Sequence, residues 1–452
     1  MNLKEIAANI PHYEYFLTVD EMRASTAQLH AEFPDITRVR VVGTTRENDP
    51  LELLSIHHQD GLPNAFLFGA PHPNEPIGCM AIEFLSRLLC EDESLRDELG
   101  FNWHFIKCID ADGTRLNEGW FRGPFHLRNY HRDFYRPRMP EQVEWTFPID
   151  YKTLHFDQPL PETRALMRCI DELQPRFLYS LHNAEFGGVY YYISEGAEDI
   201  FPLYQELPSW FDLQLELGEP EMPYAVELAP AIYKLPTVQD AYDFLEEQSD
   251  ADPASLMQQG SSSFGYAEKY GTKALIVEMP YWDDPRVSDL SASHVTRREA
   301  IREGAERSFA TSEWLQNQWE TVAPHLKLDT PLHRAAQDSS ITARRWAQGR
   351  LYWVENSSVA DEAATVAELF SNQVSLASFE QRGRAMWLRA LEAEINAGNH
   401  HEVILKARDA AEAEFEGRAS ALEAATDYRI LPIRSLVGVQ VCAGLAAAHH
   451  WR

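Results

Sequence analysis

Phe66-Leu67-Phe68-Gly69-Ala70-Pro71-His72-Pro73-Asn74-Glu75-Pro76 is an apolar strand that runs into a Gly-Pro corner and delivers an imidazole and a carboxylate three residues apart. The strand begins at Ala65, Pro76 stands where a helix can start, and Ile77 to Leu89 reads as that helix. His-x-x-Glu on a rigid strand-to-helix corner can grip one divalent zinc and leave room for a distant third ligand. So short a pattern also arises by chance, and its meaning depends on its surroundings.

On the N-terminal side, Thr18-x-x-Glu21 is a capping box for a helix carrying Met22, Leu29 and Phe33, which Pro34 ends. Thr37 to Val42 and Leu51 to Ile56 read as strands joined by a polar turn. On the C-terminal side come a strand from Asn102 to Ile109, the loop Asp110-Ala111-Asp112-Gly113, and a helix from Glu162 to Leu173. Strands follow at Phe177 to Leu181, Val189 to Ile193 and Lys273 to Val277. This alternation predicts an α/β domain with a mixed, largely parallel central sheet flanked by helices. Residues 115–140, rich in Arg, aromatics and Asn without a clean period, read as a long functional loop. Residues 201–259 read as irregular with one or two helices.

From about Arg297 the strand signal stops. Ile301, Phe309, Leu315 and Trp319 mark one helix, Met386, Leu388, Leu391 and Ile395 a second, and Val403 to Phe415 a third. Pro324 and Pro331 mark the boundary between them, which gives a catalytic domain over 1–322 and a helical C-terminal extension over 323–452.

The chain has 452 residues, 44% of them hydrophobic, enough for a substantial core. Forty basic against seventy acidic side chains leave a net charge of −30, which disfavours nucleic acid and anionic lipid as partners. The acidity serves solubility, and it can also attract a cationic substrate. No apolar run approaches a membrane span, and the first residues lack the pattern of a secretory signal. Cysteines 79, 90, 108, 169 and 442 are scattered through apolar segments and read as free thiols of a cytoplasmic protein.

His72, His182 and Glu278 all lie at or just past the C-terminal ends of apolar strands, the edge where loops of an α/β sheet converge on ligands. His72, Glu75 and His182 would give one zinc two imidazoles and a carboxylate, with a fourth position for water. Glu278 would then be free to take a proton from that water. His182-Asn183-Ala184-Glu185 is a rival His-x-x-Glu, but Gly187-Gly188 turns the chain away and leaves Glu185 as a pocket wall. Asp112, before Gly113, reads as a turn former.

This order of motifs resembles the zinc carboxypeptidase family (M14-type metallopeptidases, bacterial type) over about residues 15–320. The resemblance implies His72 and Glu75 as the ligand pair, His182 as third ligand in Ser180-Leu181-His182-Asn183, and Glu278 as the catalytic glutamate. Asp110 to Gly113 stands where the family has Asn-Pro-Asp-Gly. Arg122 best matches the arginine that polarises the scissile carbonyl. Arg132 matches the arginine that clamps the terminal carboxylate, with His131 where Asn is usual and Asn129 where an Asp orients the first zinc histidine. The implied activity is zinc-dependent hydrolysis of the amide bond before the C-terminal residue of a peptide. A rival reading is a deacylase of small N-acyl amino acids. Another is a non-catalytic binding protein whose helical tail carries the function.

Overall fold

Nine strands form the sheet that carries the site in the computed structural model, which describes residues 1–248 and 251–452. They are β1 (Thr37–Thr44), β2 (Pro50–Ile56), β3 (Asn64–Gly69), β4 (Asn102–Ile106), β5 (Phe177–Leu181), β6 (Tyr190–Ile193), β7 (Glu227–Ala229), β8 (Ile232–Lys234) and β9 (Lys273–Glu278). Their order across the sheet is β1-β2-β4-β3-β5-β9-β6-β8-β7. The four central strands β4, β3, β5 and β9 run parallel, and antiparallel pairs lie on both sides. Every residue of β5 is buried, as a central parallel strand covered on both faces requires.

Eight helices matter for the site: α1 (Val19–Glu32), α2 (Ile77–Glu91), α3 (Pro161–Leu173), α4 (Arg297–Val322), α5 (Pro331–Asn356), α6 (Leu376–Asn396), α7 (Glu402–Ala424) and α8 (Ile433–His450). Alternate residues along the central strands serve the two faces of the sheet. Phe66, Phe68 and Leu178 pack with Ala165, Leu166 and Ile170 of α3. Leu67, Tyr179 and Leu181 join the larger cluster with α2 and α8.

The C-terminal helix α8 is an integral part of this second face. Every residue from Leu436 to Ala448 is buried, and the helix packs on α2, β5 and β9. Gly444 lets it approach the ring of Tyr179, where a β-carbon would come within 2.7 Å of Cε1. The Tyr179 hydroxyl donates to the carbonyl of Gln440 at 3.1 Å.

The expected boundary near residue 323 falls in the link between α4 and α5. Residues on either side of it, Leu315, Leu391, Phe415 and Leu436 among them, share one hydrophobic cluster with the sheet. Several expectations change in detail. β4 ends at Ile106, because Lys107 to Asp110 already form the turn into a short helix from Ala111 to Arg115. Residues 201–259 contain two short strands, β7 and β8, besides helices. α5 and α8 were not anticipated. No helix among the described residues is long and apolar enough to cross a membrane, and all five cysteines are free.

Candidate metal centre

β3, β5 and β9 are neighbours and parallel, so their C-terminal ends open on one edge. The corner after β3 is tight. A β-carbon on Gly69 would lie 2.5 Å from the Lys107 carbonyl, and Ala70 adopts a left-handed φ of 50°. The corner brings Nδ1 of His72 to 3.1 Å from one oxygen of Glu75. His182, next after β5, places its Nδ1 3.2 Å from the other oxygen. The ligand atoms of His72, Glu75 and His182 lie within 4.8 Å of one another. The three residues are 3%, 2% and 3% exposed.

Asn183 ties the two ligand segments together. Its side-chain oxygen accepts the N–H of Ile77 at 3.2 Å, capping α2 from another element, and its backbone N–H donates to Glu75 at 3.2 Å. α2 sits directly on the end of β5, where a β-carbon on Gly78 would meet Cβ of Leu181 at 2.4 Å and its carbonyl oxygen at 3.0 Å. Gly78→Ala is therefore expected to cost about 1–3 kcal/mol, measured by chemical denaturation.

Burial, and then the charge of Arg136, push the His72 imidazole down to about 3, so it is neutral at physiological pH. Burial pushes the Glu75 carboxyl up, but His72, His182 and Arg136 outweigh it and hold the group well below the usual carboxylate range. For His182 burial again acts downward, and the hydrogen bond and charge of Glu75 win, raising it to about 9. Two imidazole nitrogens thus converge on both oxygens of one buried, ionised carboxylate. That donor set fits zinc, whose four-coordinate sites take nitrogen and oxygen at about 2.0–2.2 Å.

His182 is oriented from behind. Its Nε2 lies 2.9 Å from the Ser180 hydroxyl, which donates to Glu144 at 3.3 Å. The other oxygen of Glu144 accepts the N–H and hydroxyl of Ser263 at 3.0 and 2.6 Å. With the serine proton spent on Glu144, Nε2–H of His182 donates to Ser180, and Nδ1, protonated against Glu75 in the absence of metal, is the nitrogen that would give up its proton to bind one. Gln440 of α8 donates to the carbonyls of His182 at 2.8 Å and Val277 at 3.4 Å, holding the ends of β5 and β9 together. Ser180→Ala is expected to weaken zinc binding about 10- to 100-fold in competition with a chelating dye. His72 has no such support, since its Nε2 is buried without a partner among the described residues. Asn129, expected to supply it, donates instead to the Pro124 carbonyl at 3.2 Å.

Glu278, the last residue of β9, is 8% exposed and lies 4.0 Å from Nδ1 of His182. Among the described residues its carboxyl accepts no hydrogen bond, and burial pushes it well above the ordinary carboxylate range, with His182 opposing.

The arginines depart from the sequence reading. Arg122 is on the surface, paired with Glu21 and stacked 3.9 Å over the ring of Tyr15. The guanidinium at the centre belongs to Arg136, which donates to Glu75 at 2.9 Å. Both lie in the Arg-rich stretch, where the sequence reading, guided by proximity to Asp110–Gly113, named Arg122. Arg132 is engaged by Glu412 at 2.9 Å and Glu392 at 2.7 Å, acids of α7 and α6, and so is committed to the C-terminal helices. His131 is fully buried, 3.2 Å from the Ser378 hydroxyl of α6 and 3.9 Å from Glu185. Glu185, three residues on from His182, is ion-paired with Arg382 of α6 at 2.6 Å.

Sheet and cluster together define an α/β fold with a His-Glu-His group that could hold a metal ion at one edge of the sheet. Residues 22–209 match the family described as Peptidase_M14, zinc carboxypeptidase. Among solved structures it is similar to carboxypeptidase A from Helicoverpa armigera, with 14% identity, 62% of this chain and 69% of that one covered, and a TM-score of 0.40. It is also similar to a metallo-carboxypeptidase from Burkholderia cenocepacia (15% identity, 58% and 60% covered, TM-score 0.36). A third is the metallo-carboxypeptidase from Pseudomonas aeruginosa in complex with (2-guanidinoethylmercapto)succinic acid (17% identity, 57% and 60% covered, TM-score 0.35). No curated protein matches the chain.

Proposed function

We propose that the protein is a zinc-dependent carboxypeptidase that hydrolyses the amide bond before the C-terminal residue of a peptide. The observation that carries this reading is Glu278, a buried carboxyl that accepts no hydrogen bond among the described residues, 4.0 Å from one member of a His-Glu-His cluster. When bound by His72, Glu75 and His182, one zinc supplies Lewis acidity toward the scissile carbonyl and a water molecule. Glu278 takes the proton of the attacking water and passes it to the leaving amine. A carboxyl whose proton affinity is raised by burial suits both transfers. Arg136, already beside Glu75, offsets negative charge that gathers on the carbonyl oxygen.

The test is a mass-spectrometric screen of the purified zinc form against peptides and N-acyl amino acids. Stepwise loss of C-terminal residues is expected. Cleavage of the acyl amino acids alone would favour the deacylase reading, and no turnover of either would favour a binding protein.

A further inference from the structure

Arg382 lies on α6, beyond the segment that matches the family, yet its side chain reaches Glu185, three residues on from His182. It is only 13% exposed. Its Nε donates to Glu185 at 2.6 Å, and the guanidinium stands over the rings of Phe134 and Phe379, 5.2 and 4.6 Å from their centroids. Glu185 is itself fixed by the Ser378 hydroxyl at 3.3 Å, and the charge of Arg382, acting against burial, keeps it ionised with its carboxyl down at about 2. The backbone carbonyl of Glu185 accepts the N–H of Tyr281 at 2.8 Å, and the Tyr281 hydroxyl donates to the carbonyl of Asn74, next to Glu75, at 2.8 Å. One residue layer therefore separates Glu185 from the ligand corner, and the charge of Arg382 is felt at Glu75.

What sets Arg382 apart is its free end. Arg128 is taken by Glu416 and Glu423, Arg132 by Glu392 and Glu412, and Arg389 by the carbonyls of Leu116, Asp133 and Phe134. Among the described residues nothing bonds to Nη1 or Nη2 of Arg382. An acid steers Nε, two aromatic rings set the plane, and two parallel N–H donors are left for a ligand. A fork so held matches a carboxylate in two places and loses little freedom on binding it.

We propose that Arg382, supplied by the C-terminal helices, binds the free α-carboxylate of the substrate in the place where the sequence reading put Arg132. The inference rests on the carboxypeptidase reading. It is tested with one peptide as free acid and as C-terminal amide, against wild type, Arg382→Ala, Arg382→Lys and Arg132→Ala, with zinc content and melting temperature measured for each. Calorimetric binding of a free N-acyl amino acid supplies a readout independent of turnover.

Wild type is expected to prefer the acid, and Arg382→Ala to lower kcat/KM on the acid about 10- to 100-fold while changing the amide less than about threefold. Calorimetric affinity for the N-acyl amino acid should fall by the same factor. Arg382→Lys keeps a cation beside Glu185, so the fold is retained, but without the fork it should lose most of the preference. Arg132→Ala should leave the acid-to-amide ratio unchanged. Equal losses on acid and amide in a folded Arg382→Lys, or an unchanged ratio, would overturn the assignment and leave the carboxypeptidase reading standing. A wild type that hydrolyses the amide as well as the acid would overturn both.

Discussion

Glu278→Gln is expected to keep its zinc and its fold while kcat falls about 10²- to 10⁴-fold, the range typical of losing a general base. The amide has the shape of the carboxyl but cannot accept a proton from water. Stability should hold, because the Glu278 carboxyl accepts no hydrogen bond among the described residues and burial already favours its neutral form. KM should change little, since the lost interaction belongs to the transition state. Elemental analysis and peptide kinetics on the same preparation check the prediction. Loss of zinc in the variant would instead make Glu278 a ligand, and a near-normal rate would remove it from the mechanism.

The second large effect concerns the metal. Purified protein is expected to hold about one zinc per chain, and a strong chelator should bring hydrolysis to background and lower the melting temperature. A ligand that binds the folded chain alone, present at a thousand times its Kd, stabilises by about 4 kcal/mol. Without zinc the folded state is not left with a bare buried charge, because Arg136 and both imidazoles remain against Glu75. The stripped protein should therefore stay folded and recover on adding zinc. Hydrolysis indifferent to chelation, together with no zinc by elemental analysis, would end the metallohydrolase reading.

The residues that the structure gathers at the centre were legible wherever the signal was local. His72 and Glu75 share one corner, while His182 and Glu278 each end an apolar run, and a parallel sheet places such ends together without any further information. The arginines were not legible in this way. Arg122, Arg132 and Arg136 sit in one Arg-rich stretch that is irregular apart from short helical turns such as Leu127–Arg132, and which of them turns inward is decided by acids far along the chain. Glu21 draws off the first, while Glu392 and Glu412 hold the second. Helix α8 escaped for another reason. Apolar nearly all round, it offers no 3.6-residue alternation to read, and that same feature marks a helix enclosed on every side. The short strands β7 and β8, three residues each, are held by pairing partners rather than by any pattern of their own.

The bonds from Gln440 to the carbonyls of His182 and Val277 span 258 and 163 positions of sequence. Chain synthesis runs at about 5–20 residues per second, so Gln440 follows His182 out of the ribosome by roughly 10–50 s. During that interval the strands bearing the third ligand and the base exist without the helix that clasps their ends. Contacts of such separation are also among the slowest for a folding chain to close. A nascent chain halted short of α8 would carry every residue of the cluster yet lack the Gln440 clasp.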